Sequence, residues 1–204
     1  MPEVQQQQQD PGWLPRIGGW LFRWRTSMPL PIIAALLLLP ATPVSWPFVL
    51  VGVGLVAAGE LLRLWAVRHI GVISRTRSDR LGPLVAAGPF ARVRNPLYLG
   101  NIALWVGFAL TARVLWFVPV VLAFLGFVYH AIVRWEETLL EARRGDEYRD
   151  YLRRIPRWLP ALTMSSGTSA TLFSWRDTLF SERGTLIAIV VGLALLYVKS
   201  WLNA

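Results

Sequence analysis

Two long apolar stretches, joined by a very short polar turn, constrain this chain more than any other feature. They occupy residues 96–112 and 114–133, and only Arg113 separates them. Their length and polarity are typical of membrane-spanning helices, and so short a connection makes them a helical hairpin. A polar motif lies at each open end: GPFARVRNPLYLG at 88–100 and WEETLLEARRGDEYRDYLRRIPRWLP at 135–160. Because a hairpin returns the chain to the membrane face it left, both motifs should meet there.

The rest of the chain is also more apolar than a soluble domain of this size. Hydrophobic residues make up 54% of it and charged residues only 16%, so a polytopic membrane protein is expected. Three further apolar stretches, at 29–45, 47–69 and 184–203, bring the number of candidate spans to five. The fold class predicted is therefore all-α, with about five transmembrane helices.

The net charge and the residue types limit which partners the chain can bind and which chemistry it can carry out. The net charge is +9, but the basic residues flank apolar stretches, which favours membrane lipids as partners over nucleic acid. The chain has no cysteine, which excludes disulfides, thiolate metal sites and a cysteine nucleophile. His69 and His130 lack metal-ligand spacing, so no metal site is expected. The oligomeric state is not indicated.

The basic residues also predict an orientation. With the N-terminus in the cytoplasm, every arginine and lysine except Arg113 and Lys199 lies on the inner side. The positive-inside rule then puts both polar motifs in the cytoplasm and the C-terminus outside.

Four segments are expected along the chain. Residues 1–28 read as a disordered tail followed by an interfacial amphipathic segment, and 29–163 as the membrane-embedded core. A cytoplasmic linker at 164–183 and a C-terminal transmembrane helix at 184–204 complete the chain. A signal peptide at 30–39 is the less favoured alternative, because no small-x-small cleavage site follows it.

The first polar motif allows two interpretations. Asn95 followed by Pro96 is a good helix start, with asparagine as the cap and proline at the first helical position. A helix N-terminus flanked by Arg92 and Arg94 is equally a ready anion site. Tyr98 adds a hydroxyl group beside it. These residues alone leave both interpretations open.

The second motif adds two carboxylates and an amphipathic segment. Glu136 and Glu137 directly follow an apolar span, where unpaired carboxylates are costly; Arg134 or another arginine could pair with them at a solvated helix end. An apolar stripe, interrupted at Gly145, predicts a membrane-lying cap: Leu140, Tyr148, Tyr151, Leu152 and Ile155. A helix N-terminus facing two carboxylates would suit a zwitterionic ligand with an extra positive centre, such as S-adenosylmethionine.

Inside the second span, Glu60 and Arg63 lie one helical turn apart. Charges within a span usually face the bundle and pair, so a structural contact of Glu60 with Arg63, or on the side of His69, is expected. A wall of a substrate tunnel is the alternative.

The residues of the two polar motifs resemble those of a known family. LVAAGPFARVRNPLYLGN, preceded by LRLWAVRHIG and followed by EE and GDEYRDYLRRIPR, resembles the superfamily of isoprenylcysteine carboxyl methyltransferases and phospholipid methyltransferases over about residues 60–160. The resemblance implies an integral membrane enzyme that binds S-adenosylmethionine in the cytoplasm, here expected in a bacterial inner membrane, and methylates a lipidic or hydrophobic acceptor. The implied cofactor-binding residues are Gly82, Pro83, Leu84, Val85, Phe90, Asn95, Pro96, Leu97, Tyr98 and Glu136.

Two departures from the family pattern leave the acceptor open. Asn95 stands where the family commonly has histidine, and asparagine cannot carry a proton near neutral pH. Ile132 stands where eukaryotic isoprenylcysteine enzymes have an arginine for the substrate carboxylate. Glu137 is the candidate for orienting the substrate or accepting its proton, and Arg134 for meeting an anionic acceptor. The alternatives are a phospholipid or amine N-methyltransferase and a noncatalytic scaffold that has kept the fold.

Overall fold

A computed structural model describes residues 12–43, 46–71, 84–162 and 172–202 of the chain. Within these ranges every regular element is helical, which confirms the predicted all-α fold class. Two single turns of 3₁₀ helix occur at Gly88–Ala91 and Leu115–Phe117. The α-helices are α1 Trp13–Trp24, α2 Leu30–Leu38, α3 Trp46–Ile70, α4 Pro96–Thr111, α5 Val118–Arg144, α6 Asp146–Arg154 and α7 Trp175–Leu202.

Three stretches among the described residues are long and apolar enough to cross a membrane: Trp46–Ile70, Leu115–Arg144 and Trp175–Leu202. α4 is apolar but has only 16 residues. The first expected span, 29–45, contains the nine-residue α2, which is about 14 Å long against a hydrocarbon core of about 30 Å. The prediction of about five spans is therefore not confirmed.

α3 and α4 approach closely because glycines line their contact. A Cβ atom added to Gly59 would lie 2.7 Å from the Gly100 carbonyl oxygen, and one added to Gly107 would lie 2.6 Å from that of Gly52. The spacing of seven residues on each helix keeps the pair on one face. Small residues thus replace side-chain interdigitation at this interface, as is common between helices in lipid.

The predicted hairpin is confirmed as α4 and α5. Arg113 turns the chain with a positive φ of 60°, and the 3₁₀ turn at Leu115–Phe117 leads into α5. The Thr42 backbone N–H and hydroxyl both donate to the Arg113 carbonyl, at 2.8 and 2.7 Å. The segment after α2 therefore fixes the closed end of the hairpin, and the two polar motifs lie at its open end.

α7 is more firmly attached than the expected C-terminal anchor. It begins at Trp175, so the predicted linker at 164–183 is helical from that residue on. Arg63 donates to Glu60 at 3.2 Å, which confirms their predicted contact, and to Glu182 of α7 at 2.7 Å. Glu182 is fully buried, and no sequence pattern predicted its contact with Arg63. Lys199 also donates to the last carbonyls of the α2 region.

Candidate active site

The two polar motifs meet at the open end of the α4–α5 hairpin, as the sequence predicts. Arg94, just before α4, donates from Nη1 to Oε1 of Glu137 on α5 at 2.6 Å. The Tyr98 hydroxyl, in the first turn of α4, donates to Oε1 of Glu136 at 3.1 Å. Each of the two adjacent carboxylates is therefore bound by a residue of the first motif.

Glu137 lies at the centre of a cluster of arginines. Its side chain is 7% exposed, and Arg157 donates to both carboxylate oxygens, at 3.0 and 2.7 Å. Arg134 lies at 3.6 Å from Oε2 and is itself 43% exposed. These hydrogen bonds to Glu137 raise the pKa of Arg157 above its ordinary value. With Arg94 included, three guanidinium groups lie around this carboxylate.

The start of α4 is not capped by a side chain. Asn95 precedes the helix, but its amide donates to the Arg157 carbonyl at 3.1 Å and makes no capping bond. Asn95 therefore occupies the N-cap position, but its side-chain oxygen accepts no hydrogen bond from the first turn, and the predicted capping bond is absent. Pro96 occupies the first turn as predicted. Since the first backbone N–H groups of a helix have no partner inside it, those of Leu97 and Tyr98 remain to meet another acceptor.

Glu136 lies beside this helix start in an aromatic setting. The Tyr98 ring stacks on Tyr129 with 4.8 Å between centroids, so its hydroxyl is held toward Glu136. Among the described residues, Tyr98 supplies the hydrogen bond that Glu136 accepts, in contrast to the three arginines around Glu137. The two neighbouring carboxylates thus have distinct surroundings.

The predicted apolar stripe forms a lid on the loop before α4. α5 ends at Arg144, and Gly145, which has a φ of 54°, separates it from α6. Tyr151 of α6 donates to the Phe90 carbonyl at 2.9 Å. Burial raises the pKa of Tyr151, so its hydroxyl stays a donor. The apolar residues of the stripe and of the loop pack together here: Tyr148, Tyr151, Ile155, Leu84, Ala86, Leu140 and Leu152. The interpretation of this apolar stripe as part of a cytoplasmic cofactor-binding cap stays a prediction.

The chain after α6 pairs with the first motif. The Arg94 backbone N–H donates to the Pro156 carbonyl at 3.0 Å, and the Ala161 N–H donates to the Arg92 carbonyl at 2.9 Å. Arg94 Nε also donates to the Ile155 carbonyl at 2.7 Å. The two motifs are therefore joined along their backbones as well as through their side chains.

The structure distributes the sequence-predicted residues over two neighbouring places. Tyr98 contacts Glu136 in the first turn of α4, directly after Asn95 and Pro96, while Leu84 and Phe90 contact α6. Glu137 and Arg134 form the ion pair described above. Val85 and Leu97 are half-buried, and Gly82 and Pro83 lie outside the described residues.

Two arginines near the carboxylates were not singled out by the sequence. Arg157 bridges Glu137 and Asn95, and Arg25, between α1 and α2, interacts electrostatically with Tyr98 and Glu136. A buried carboxylate needs a cation nearby, so the sequence predicts that some arginine pairs with it. The sequence does not show which arginine this is, because many arginines lie in the same motif.

Within the part of the chain that the structure describes, no group of three or more histidine, aspartate or glutamate side chains is placed to hold a metal ion.

Similar proteins bear on the identity of this region. Residues 47–146 match the family described as phospholipid methyltransferase. The nickel-cobalt-cadmium resistance protein NccN of Alcaligenes xylosoxydans xylosoxydans is 33% identical over 132 residues, which cover 64% of this chain and 58% of that protein. The cobalt-zinc-cadmium resistance protein CzcN of Cupriavidus metallidurans is 29% identical over 120 residues, covering 59% and 51%. An uncharacterized protein of Haemophilus influenzae is 41% identical over 63 residues, covering 31% and 79%.

The matched parts span between half and three fifths of the two metal-resistance proteins. No solved structure gives a significant match. The family match covers α3, α4 and α5 and includes Arg94, Tyr98, Glu136 and Glu137. Through the helices that form the candidate active site, the chain therefore belongs to the phospholipid methyltransferase family, and the resemblance predicted from the sequence is confirmed.

Proposed function

We propose that this protein is an S-adenosylmethionine-dependent membrane methyltransferase that acts on a lipidic or hydrophobic acceptor, in the manner of isoprenylcysteine carboxyl methyltransferases. The observation that carries the proposal is the Tyr98–Glu136 pair at the uncapped start of α4. It lies inside the region that matches a methyltransferase family. Three apolar helices of membrane-spanning length agree with an acceptor drawn from the bilayer.

The residues at the start of α4 fit the charge pattern of the cofactor. The free backbone N–H groups of Leu97 and Tyr98 suit a carboxylate, and a helix N-terminus favours negative charge. Glu136 suits an ammonium or sulfonium group. Gly82, Pro83, Leu84, Val85 and Phe90, which precede α4 in the sequence, complete the proposed cofactor-binding set, together with Asn95 and Pro96. When bound, S-adenosylmethionine supplies a methyl group on a good leaving group, so positioning by these residues provides most of the catalysis.

Glu137 is proposed to orient the substrate, with Arg134 meeting an anionic group on it. The surrounding arginines already contact both oxygens of the Glu137 carboxylate, which supports the orienting role over that of a base. Arg134 is the most exposed of the three and can still reach an incoming ligand. A carboxylate acceptor needs no base, whereas an ammonium acceptor must lose a proton first.

A phospholipid or amine N-methyltransferase is the second candidate, and the name of the matching family favours it. The two candidates differ in the stability of their product. Labelled methyl transfer into a lipid extract, followed by treatment with base, releases methanol from carboxyl methyl esters but leaves N-methyl groups in place. We place either reaction on the cytoplasmic side of a bacterial inner membrane, with the N-terminus inside and the C-terminus outside, as the distribution of arginines predicts.

Binding of S-adenosylmethionine to the purified full-length chain tests the proposed function. Wild type should bind, and Glu136→Gln should bind at least about tenfold more weakly, because a charge-assisted contact is lost. Glu147→Gln is the matched control, since Glu147 lies exposed on α6 and pairs with Arg144 there. A folded wild-type chain that binds no S-adenosylmethionine would instead be a noncatalytic scaffold or binding protein of this fold.

A further inference from the structure

α1 and the second half of α5 enclose a groove that the proposed reaction has not used. α1 packs so closely on α5 that a Cβ atom added to Gly18 would clash with the Ala131 carbonyl. Beside this contact lies a groove of about 580 Å³, within the range of small-molecule sites. Its wall includes the indoles of Trp20 and Trp135. The groove thus offers an aromatic surface of ligand size, and α1 lies outside the region that matches the family.

Among the described residues, arginines supply the charge of the groove. Arg16, Arg23 and Arg25 line it, and no acidic residue of the described ranges does. Arg25 is oriented by Phe22, since its guanidinium lies 3.8 Å from the ring centroid and Nη1 donates to the Phe22 carbonyl at 2.9 Å. Within the described residues, neither Arg23 nor Arg25 belongs to an ion pair. The groove is therefore complementary to an anionic group.

The groove borders the candidate active site on the side of Glu136. It is lined by Trp135, Thr138 and Leu139 of α5. At about 100° per residue, Glu136 lies only about 60° around the helix from Leu139, whereas Glu137 faces away from the groove. Arg25 interacts electrostatically with both Glu136 and Tyr98. A molecule in the groove would therefore place one end beside the Tyr98–Glu136 pair.

We propose that this groove binds an amphiphile with an anionic headgroup, a phosphate diester or a carboxylate, and presents it as the methyl acceptor. A nucleophilic oxygen or nitrogen atom of the amphiphile would form the new bond to the methyl group as the carbon–sulfur bond of S-adenosylmethionine breaks, and S-adenosylhomocysteine would leave. Arg23 and Arg25 bind the headgroup, and Trp20 and Trp135 pack against the adjoining apolar chain. Arg23 and Arg25 add two anion partners to Arg134, which also contacts Glu137. Binding in the groove stands on its own contacts, whereas its role as acceptor site rests on the proposed function.

Calorimetric titration of the full-length chain in neutral detergent tests this proposal without S-adenosylmethionine. The probes are dioctanoyl phosphatidylglycerol, decanoate and the uncharged dioctanoylglycerol. Wild type should bind at least one anionic probe about tenfold or more tightly than the uncharged one, and the tighter of the two anionic probes identifies the headgroup. Arg25→Gln should weaken anionic binding about five- to tenfold, and Arg25→Lys should largely retain it.

Arg183→Gln is the matched control. Arg183 on α7 lies 3.8 Å from the centroid of the Phe180 ring and donates to the Phe180 carbonyl, which repeats the arrangement of Arg25 on Phe22. The Arg183→Gln variant should bind all probes as wild type does. Arg23 takes part in no ion pair or side-chain hydrogen bond with the other described residues, so Arg23→Gln should fold, and it should also weaken anionic binding.

Equal weakening by Arg25→Gln and Arg183→Gln would overturn the proposal, since it would show general attraction of anions to surface arginines. So would a wild-type chain without preference for the anionic probes. Failure to bind S-adenosylmethionine, with the anion preference intact, would overturn the proposed function and leave the groove as a binding site.

Discussion

Arg63 and Glu182 form an ion pair between α3 and α7, with 2.7 Å between Nη2 and Oε2 and both side chains buried. Arg63 also donates to the side chains of Glu60, Asn101 and Thr185. One guanidinium group therefore connects α3, α4 and α7 in the interior of the helix bundle. Because buried charges are costly without partners, this cluster ties the C-terminal helix to the core.

Glu182→Leu should destabilise the protein by about 2 kcal/mol. Removing one partner of a buried pair usually costs about 3–5 kcal/mol, and Glu60 still neutralises Arg63 here. Unfolding by sodium dodecyl sulfate in mixed micelles measures the change. Glu147→Gln, at an exposed pair on α6, should stay within about 0.5 kcal/mol of wild type. If the two variants are equally stable, the Arg63–Glu182 pair does not hold α7.

Glu137 and Arg157 should behave as one unit. Their double hydrogen bond is largely buried, so the effects of Glu137→Gln and Arg157→Gln on the free energy of unfolding should not add. A double-mutant cycle should give a coupling energy of about 1–3 kcal/mol.

The same cycle on Arg144 and Glu147 is the control. That pair is more exposed and should couple by less than about 1 kcal/mol. Additive effects at Glu137 and Arg157 would mean that the segment after α6 is not fastened to α5 through this carboxylate.

Tyr98→Phe should weaken binding of S-adenosylmethionine about fivefold to tenfold. The change removes the hydrogen bond to Glu136 but keeps the ring that stacks on Tyr129. Equilibrium dialysis with labelled cofactor measures it. Tyr197→Phe on α7 is the control, since Tyr197 is 75% exposed and should bind as wild type. Unchanged affinity in Tyr98→Phe would remove the Tyr98–Glu136 pair from the proposed cofactor site.

The sequence predicted the features that arise from local periodicity. The α4–α5 hairpin follows from two apolar stretches around Arg113, and the α6 stripe from the spacing of Tyr148, Tyr151 and Ile155. The meeting of the two motifs then follows from hairpin geometry, without any knowledge of side-chain contacts. Local pattern was sufficient wherever neighbours in sequence are also neighbours in space.

The sequence did not predict which residues of distant segments pair with each other. Glu182 is separated from Arg63 by most of the chain, and which arginine pairs with Glu137 depends on how the chain after α6 returns to α5. The length of α2 was misjudged for another reason. Apolar composition suggested a span at 29–45, but the helix ends at Leu38, close before Pro40, because proline cannot continue it.

Gly59→Ala should destabilise the α3–α4 pair, whereas Gly54→Ala on the same helix should not. A Cβ atom on Gly59 would lie 2.7 Å from the Gly100 carbonyl oxygen, so the two backbones would have to separate, at a cost of about 1–3 kcal/mol. At Gly54 no atom lies within 4 Å of the added Cβ, and alanine should leave stability unchanged or raise it by up to about 1 kcal/mol. The free energy of unfolding in mixed micelles measures both changes. Equal stability of the two variants would show that close backbone contact does not hold α3 against α4.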